Sequence, residues 1–509
     1  MGNLRILIIE DDDRWGAAIG DLLSPFGGQT QVAPNHEQAL RLIRRVQFDI
    51  VVTDLALPGS AVSAAPGVEQ GFHLLKELRN STLNETSALL VVSGQMKNND
   101  VSEAMRLYKV HQFFDKIDFD ENLFVSAAND ALLLARIKRA NKKQDRASRL
   151  QIHFDQDRIL GSILEGSVQR PFHQSPHTAR LEVAKFVRRA NNMNLLVKKG
   201  PKVWRPEAQA LGKELYEILY HDRSILEGLA ATPNPKDLWL QFSGPPEGLG
   251  VPFELLHDGQ DYLTFKHVLT RGVAGPGNSI KRVKFQKFIR SFLGQQVPLR
   301  ILMVAVDDAN NPGAYTMHEE TELLEGIFND ELKCLGIRAE VERISGKDAT
   351  RDNIGEALQR GGYHFFHYSG HGYFQSDQPE SSRIMTADTD RRKSFLTASD
   401  LTDFCQGTEL RFTYLSCCLG ACSAPKIEHG DFFGLFDALA RADVPMVLGY
   451  RWEMGDALAL SLASAFYKKL WLTLSPGEAL FEARKDISHG EESRDSESWA
   501  APVLLMQNG

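Results

Sequence analysis

The chain of 509 residues is too long for one ordinary domain and suggests about three, at roughly 150 residues each. Its hydrophobic share of 43% and charged share of 24% are typical of globular proteins. The net charge of −8 gives no reason to expect nucleic acid as the main partner. No stretch approaches the roughly 18 uninterrupted apolar residues of a membrane span, so we expect no membrane partner. The five cysteines are few and odd in number, so we expect a cytoplasmic protein without a disulfide framework.

Residues 4–118 alternate short apolar strands with amphipathic helices. The predicted strands read LRILIIE, TQVAP, FDIVVTD, ALLVVSG and HQFFDK. This alternation is typical of a parallel sheet with helices on both faces.

Residues 119–150 are predicted to form one long helix, which begins apolar and ends with the basic run RIKRANKKQDRASR. We interpret it as a solvated linker helix; the alternatives are a rod that couples two domains or a patch for an acidic partner. Residues 151–235 are mostly polar and are also predicted to be helical. Residues 121–194 are therefore assigned to a helical linker region.

A second α/β pattern begins near residue 237 and continues to the end of the chain. Its strands include LWLQFSG, LRILMVAVDD, YHFFHYSG, LRFTYLSC and PMVLGYRW, again separated by helices. The fold class is therefore predicted to be α/β, with two doubly wound parallel-sheet domains joined by the helical linker region.

Acidic, hydroxyl and basic side chains stand at the carboxyl ends of the first sheet's strands, where sites form in parallel sheets. Glu10 and Asp11 end the first strand, Asp54 the third, Ser93 the fourth and Lys116 the fifth. Neighbouring carboxylates suit Mg²⁺, and a hydroxyl and an ammonium group can bind a phosphoryl group on Asp54.

The segments IIEDD, VVTDLALPG, VVSG and FFDK resemble the receiver domain of two-component response regulators. The chain departs from that family's pattern at Ile117, where proline is usual, and in a longer loop after Asp54. The resemblance implies a receiver domain over residues 1–120 with a flavodoxin-like fold. It implies the following roles: Asp54 as phosphoacceptor; Glu10, Asp11, Asp54 and the Ala56 carbonyl as Mg²⁺ ligands; Ser93 and Lys116 as switch residues, with Phe113 as the switching aromatic.

A histidine and a group of cysteines follow strands of the second sheet. His371 lies between Gly370 and Gly372 just after the strand YHFFHYS, and SCCLG follows the strand LRFTYL about 47 residues further on. This spacing is close to the roughly 50 residues between histidine and cysteine in caspases. A cysteine nucleophile needs a nearby base and oxyanion donors, and the glycines leave the Gly372 N–H accessible. A core histidine would not need this geometry.

The segments LWLQFSGPPEGLGVPFELL, YHFFHYSGHG, TYLSCCLG and SWAAPVLLMQNG resemble the CHAT domain, a bacterial branch of the caspase and separase peptidases. The resemblance covers about 300 residues and implies a caspase-like domain over residues 195–509. It implies that Cys418 is the nucleophile and His371 the base, with the Gly372 and Cys418 amides as the oxyanion hole. Cys417 is then interpreted as a buried packing thiol.

The segment VLGYRWEMGDA matches the family's region for the side chain that precedes the cleaved bond. By this resemblance Trp452 forms a wall, and Asp456 pairs with a basic substrate side chain. Arg451 offers the opposite, acidic preference; we favour Asp456. Asp456 could instead cap the helix that begins there.

These features together predict a bacterial signalling cysteine endopeptidase that cleaves a partner protein and is regulated by phosphorylation of its receiver domain or by partner binding to it. The resemblance to the CHAT domain implies a role in defence or cell-death signalling. We expect Mg²⁺ in the receiver domain and no cofactor for the peptidase. The expected partners are a protein substrate, a histidine kinase or other phosphodonor, and a regulatory protein. The alternatives are a non-catalytic two-component signalling scaffold and a transcriptional response regulator. Against the second, no helix-turn-helix is visible after the receiver.

Overall fold

The computed structural model describes most of the chain. The described residues are 4–57, 68–94, 98–155, 158–165, 168–172, 183–220, 238–244, 250–273, 284–293, 297–307, 317–374, 381–388, 395–417, 424–425, 432–488 and 497–507.

The first sheet has five parallel strands in the order β2–β1–β3–β4–β5. Its central strands are buried on both faces, as their apolar sequences require when helices pack on each side. The strands are β1 (Arg5–Ile9), β2 (Gln29–Ala33), β3 (Ile50–Thr53), β4 (Ala88–Ser93) and β5 (Gln112–Asp115). The first four helices are α1 (Asp13–Leu23), α2 (His36–Arg45), α3 (Val68–Asn80) and α4 (Asn98–Tyr108).

A helix cap fixes the chain where β1 turns into α1. The Asp12 carboxylate accepts hydrogen bonds from the backbone N–H groups of Arg14, at 2.8 Å, and Trp15, at 3.4 Å. These amides have no partner inside the helix, so the cap stabilises this start of α1. The two acidic residues before Asp12 are thereby held between strand and helix.

The long helix α5 (Glu121–Arg146) is present, but the interpretation of it as a solvated linker is wrong. Phe124, Leu132 and Leu133 are fully buried, and the alanines between them pack into the same core. The apolar start of α5 covers the first sheet, where the Phe124 and Phe114 rings lie 5.2 Å apart. A helix with this much apolar surface is stabilised by packing on both neighbouring domains.

The second sheet has eleven strands in the order β12–β11–β13–β17–β20–β21–β10–β9–β6–β7–β8. Most neighbours are parallel, and β21 pairs antiparallel with β20 and parallel with β10, so the sheet is mixed. The α/β class with two sheets is confirmed. The strands of this sheet are β6 (Ser148–Asp155), β7 (Arg158–Glu165), β8 (Val168–Phe172), β9 (Leu238–Gly244), β10 (Val268–Val273), β11 (Leu299–Ala305), β12 (Ala339–Ser345), β13 (Phe365–Ser369), β17 (Phe412–Ser416), β20 (Met446–Tyr450) and β21 (Pro502–Met506).

Two small sheets stand beside it. One contains β14 (Gly372–Tyr373), β15 (Arg383–Met385) and β16 (Phe395–Thr397), and the other contains β18 (Ala424–Pro425) and β19 (Phe432–Phe433). The remaining described helices are α6 (Val183–Val197), α7 (Pro201–Tyr220), α8 (Phe285–Arg290), α9 (Met317–Lys333), α10 (Arg351–Arg360), α11 (Ala398–Cys405), α12 (Leu435–Arg441), α13 (Asp456–Thr473) and α14 (Pro476–Ile487). Among the described helices, none combines the length and hydrophobicity needed to cross a bilayer.

The predicted helical linker over 121–194 contains three strands, so this prediction is wrong for β6, β7 and β8. The strand β6 pairs in parallel with β9, and β7 and β8 extend the sheet as antiparallel neighbours. Leu150 and Ile152 alternate along β6 and are fully buried. This period of two is the signature of a strand, but its polar neighbours made the segment read as a solvated helix.

Gly212 permits the closest approach in the packing of α7 against residues 253–257. A Cβ at this position would overlap the carbonyl oxygen of Leu255, so the backbone would have to move. We expect Gly212→Ala to lower the free energy of unfolding by about 1–3 kcal/mol through overpacking. Urea unfolding followed by circular dichroism measures this change.

The matched control is Gly326→Ala in α9, where an added Cβ meets no atom within 4 Å. There the substitution should stabilise the protein by about 0.5–1 kcal/mol, because alanine loses less backbone entropy in a helix. Equal effects of the two substitutions would contradict this account of Gly212.

Candidate phosphoacceptor site and candidate active site

Three acidic side chains meet at the carboxyl edge of the first sheet. One carboxylate oxygen each of Glu10, Asp11 and Asp54 lies within 4.8 Å of the others. Glu10 and Asp54 are buried and Asp11 is exposed, so the cluster opens to solvent on one side. Such a set of hard oxygen ligands fits a divalent ion like Mg²⁺, which keeps several waters.

Asp54 is held by three donors that the sequence placed at this edge. Ser93 Oγ donates to Asp54 Oδ1 at 2.7 Å, and Lys116 Nζ donates to Oδ2 at 2.7 Å. The backbone N–H of Ala56 donates to Oδ1 at 2.8 Å. The carboxylate is therefore oriented by neighbours on β4 and after β5.

Lys116 joins two of the buried acids. Its ammonium group lies 2.8 Å from the Glu10 carboxylate and 5.5 Å from the centre of the Trp15 ring. Burial raises the pKa of Glu10, which the hydrogen bond and charge of Lys116 counteract. Burial lowers the pKa of Lys116, but the hydrogen bonds and charges of Asp54 and Glu10 outweigh it and the net shift is upward. Lys116 therefore stays protonated and forms ion pairs with both carboxylates, although its single charge balances only one of them.

Phe113 lies on β5 opposite Val91 of β4. Its ring is half-buried and packs against the apolar cluster on one face of the first sheet. The aromatic side chain predicted to switch is thus next to the strand that carries Ser93 and on the strand that leads to Lys116.

The parallel pairing of β13 with β17 brings two loops of the second sheet together. In this register Ser369 is opposite Ser416, so both strands end at the same edge. The backbone N–H of Gly370 donates to the Ser416 carbonyl at 3.2 Å, just past the strand ends. The residues after both strands are therefore neighbours, as the sequence predicted from strand ends alone.

The main chain of His371 is fixed on two sides. Its carbonyl accepts hydrogen bonds from the Tyr368 hydroxyl, at 3.2 Å, and from the Met385 N–H, at 2.9 Å. Gly370 is needed here because an added Cβ would overlap the Tyr368 hydroxyl. Gly372 then pairs with Ile384 as the start of β14.

A cavity of about 500 Å³ opens at this edge of the second sheet. Three predicted site residues, His371, Gly372 and Asp456, line it together with Cys417. Cys417 is 2% exposed and also belongs to the apolar core, in agreement with a packing thiol. Cys418, the predicted nucleophile and oxyanion donor, lies outside the described residues. It is the next residue along the chain after Cys417.

A buried carboxylate that the sequence analysis missed also lines the cavity. Glu320 on α9 is 5% exposed, accepts a hydrogen bond from Ser369 Oγ, and has its Oε1 3.3 Å from His367 Nε2. His367 Nδ1 is 3.1 Å from the Tyr467 hydroxyl, so this histidine has a structural network. The sequence did contain an indication of this residue. Glu320 lies four residues before Leu324, so that an acidic side chain falls on the apolar face of α9.

Tyr450 closes one wall of the cavity with a neutral phenol. Its hydroxyl lies 2.9 Å from that of Tyr414, which is also buried. Burial raises the pKa of Tyr450, and the negative charge of Glu320 raises it further. The wall therefore presents a hydroxyl that stays protonated at neutral pH.

Comparison with known protein families assigns both halves of the chain. The profile of the CHAT domain matches residues 209–507, and the profile of the response regulator receiver domain matches residues 6–128. The chain belongs to the CHAT domain family. Because a receiver domain precedes the CHAT domain, the protein is a response-regulator-like signalling protein with a caspase-like domain.

The chain is also similar to individual proteins with curated descriptions or solved structures. The chemotaxis protein CheY-3 of Vibrio cholerae is 30% identical over 103 residues, which cover 20% of this chain and 72% of that protein. The probable transcriptional regulator ycf29 of Pyropia yezoensis is 24% identical over 208 residues, 38% of this chain and 88% of that protein. A sensor protein from Polaromonas sp. JS666 is 25% identical, with a TM-score of 0.22, and covers 25% of this chain and 95% of that one.

Within the CHAT domain, Asp456 is the first residue of α13, and Gly455 occupies the N-cap position. The competing role of Asp456 as the helix cap therefore does not apply. Its side chain is half-buried at the cavity, near Glu453, whose carboxylate lies 2.7 Å from Lys198 Nζ. The cavity lining thus contains three acidic side chains, Glu320, Glu453 and Asp456, and one arginine, Arg383.

Arg451 and Trp452 do not line the cavity of the CHAT domain. Trp452 is fully buried in the core, and Arg451 is 1% exposed. Arg451 Nη1 donates to the Gly250 carbonyl at 2.7 Å. Burial raises the pKa of Glu254, but the positive charges of Arg271 and Arg451 outweigh it and the net shift is downward. These contacts favour structural roles over substrate binding for both residues.

Proposed function

We propose that the protein is a cytoplasmic signalling cysteine endopeptidase that cleaves a partner protein. The observation that carries the proposal is the shared cavity of His371, Gly372 and Cys417, because Cys417 directly precedes the proposed nucleophile. The CHAT family match supports it, since this family is related to caspase-like peptidases.

In the proposed reaction, His371 takes the proton of the Cys418 thiol, and the thiolate attacks the substrate carbonyl carbon. The Gly372 and Cys418 amides stabilise the oxyanion. The C–N bond then breaks, and the leaving amine receives its proton from His371. Water activated by His371 hydrolyses the thioester and restores the thiol. The hydrogen bonds that fix the main chain of His371 support its role as the base, because a general base must lie within reach of the proton that it takes.

The two adjacent cysteines give a sharp test of the nucleophile. We expect Cys418→Ala and His371→Ala each to reduce the rate of cleavage of a peptide library by a factor of about 10³ or more. Each substitution removes one member of a catalytic pair that acts as a unit. Cleavage is measured by mass spectrometry with purified full-length protein.

Cys417→Ala is the matched control and should retain cleavage, since Cys417 is assigned to packing. Circular dichroism checks that all variants are folded. Cleavage that persists in Cys418→Ala and is lost in Cys417→Ala would reject the assignment. No cleavage by the wild-type protein, with partner binding retained, would instead favour a non-catalytic scaffold.

The charge of the cavity supports a basic residue before the cleaved bond. Glu320, Glu453 and Asp456 line it, against Arg383 and His371, and of these three acids Glu453 is already paired with Lys198. Arg451, the candidate for an acidic preference, directs its guanidinium to backbone carbonyls elsewhere. An arginine or lysine side chain would gain charge-assisted hydrogen bonds in such a pocket.

We expect Asp456→Asn to reduce cleavage after arginine and lysine by about tenfold or more, because one charge-assisted contact is lost. The ratio of kcat/KM for an arginine peptide and its neutral citrulline analogue measures the effect. Glu217→Gln, a change of an exposed glutamate on α7 outside the cavity lining, serves as a control for net charge. An unchanged ratio in Asp456→Asn would remove this residue from the substrate pocket.

The receiver site is proposed to regulate the peptidase through phosphorylation of Asp54 by a histidine kinase or another phosphodonor. Glu10, Asp11, Asp54 and the Ala56 carbonyl would hold Mg²⁺, which neutralises the charge of the transferred phosphoryl group. Ser93 and Lys116 bind the Asp54 carboxylate, and these contacts support the proposal that they would bind a phosphoryl oxygen on it. Phe113 would change position with them, and a regulatory partner protein could read this surface.

We expect acetyl phosphate with Mg²⁺ to change the rate of peptide cleavage by about fivefold or more, a typical coupling between two sites. The change should be absent in Asp54→Asn and in EDTA. The control is Asp21→Asn, which changes an exposed acid on α1. Asp49→Asn is unsuitable because Asp49 forms an ion pair with Arg139. Equal cleavage rates of the phosphorylated and the unphosphorylated wild-type protein would exclude this form of regulation.

A further inference from the structure

A second cavity, of about 380 Å³, lies between the receiver domain and the CHAT domain. It is bordered by the start of β1, by α5, and by the junction of α13 with α14. Its charged lining residues are Arg5, Asp49, Arg136, Arg139, Lys143 and Glu478. With four cations and two anions, this lining is basic, whereas the lining of the cavity at His371 is acidic.

The helix α5 supplies three of these cations from one face. Arg136, Arg139 and Lys143 are spaced by three and four residues, which places them above one another along the helix. The basic second half of α5, which the sequence left without a function, is thereby directed into the junction of the two domains.

Both anions are already paired within this lining. Arg139 Nη1 lies 2.6 Å from Asp49 Oδ1, and Lys143 Nζ lies 2.9 Å from Glu478 Oε2. Among the described residues, neither Arg5 nor Arg136 has a carboxylate within ion-pair distance. The cavity therefore carries two positive charges that its own acids do not balance.

Arg136 is the more unusual of the two because it is only 5% exposed. Its Nη1 donates to the Trp471 carbonyl near the end of α13, at 3.2 Å, while its Nε has no hydrogen-bond partner among the described residues. Burial lowers the pKa of Arg136, and the negative charges of Asp49 and Glu331 act in the opposite direction. A buried guanidinium without a paired anion is costly unless something compensates its charge.

We propose that this interdomain cavity binds a small phosphorylated molecule, with Arg136 and Arg5 as the anion contacts and Lys143 at its edge. A guanidinium group has the planar donor fork that matches phosphate oxygens. The cavity volume falls in the range of small-molecule sites, roughly 300–1,000 Å³, and leaves room beyond the phosphate groups. The ligand would contact both domains and stabilise their present arrangement.

The test is isothermal titration calorimetry of the full-length protein with inorganic pyrophosphate and with ATP, both in EDTA. EDTA and the Asp54→Asn variant separate this cavity from the receiver's phosphoacceptor site, which depends on a divalent ion. We expect saturable binding of one or both probes with one site per chain. Arg5→Gln and Arg136→Gln should each weaken it by about tenfold or more.

Arg106→Gln is the matched control, since Arg106 is an exposed arginine of the receiver domain outside the cavity lining. It should bind as the wild-type protein does. If circular dichroism shows that Arg136→Gln is misfolded, the binding measured for Arg5→Gln and Lys143→Gln tests the proposal instead. Pyrophosphate binding alone identifies the phosphate groups as sufficient, and ATP binding alone identifies a nucleotide. No binding of either probe, or equal loss in Arg106→Gln, would overturn the proposal.

Discussion

The burial of α5 against both sheets is the contact on which the rest of the architecture depends. Its first half packs Phe124 against Phe114 of the receiver, and Arg136 further along binds the end of α13 in the CHAT domain. Residues of both domains belong to one continuous apolar core, which includes Ile6, Phe124 and Trp471. The receiver is therefore packed on the caspase-like domain and is not tethered to it by a loose connection.

The positions of both candidate sites could be predicted because they depend on a local rule. Polar residues that follow buried parallel strands meet at one edge of the sheet, whatever the rest of the chain does. This rule placed Asp54 beside Ser93 and Lys116, and it placed His371 at the same cavity as Cys417, the first residue after β17. Neither result required knowledge of side-chain orientation.

Contacts between residues far apart in the chain account for what the sequence could not give. Arg451 is adjacent to the cavity in sequence, but its hydrogen bond to Gly250 spans 201 residues and turns it away. The strands β6 to β8 form because β9, about ninety residues later, offers an edge to pair with. Glu320 lies among the buried residues of α9 and also lines the cavity, which the periodicity of α9 alone did not reveal.

The short connection between α5 and β6 has a consequence for how such proteins can evolve. A single residue, Ala147, separates the end of the helix from the first strand of the second sheet. One inserted residue within α5 would rotate its second half by about 100° and advance it by about 1.5 Å. The buried face would then miss one of its two partners. Receivers can therefore be exchanged between relatives at this joint only if the rotational phase of the helix is kept.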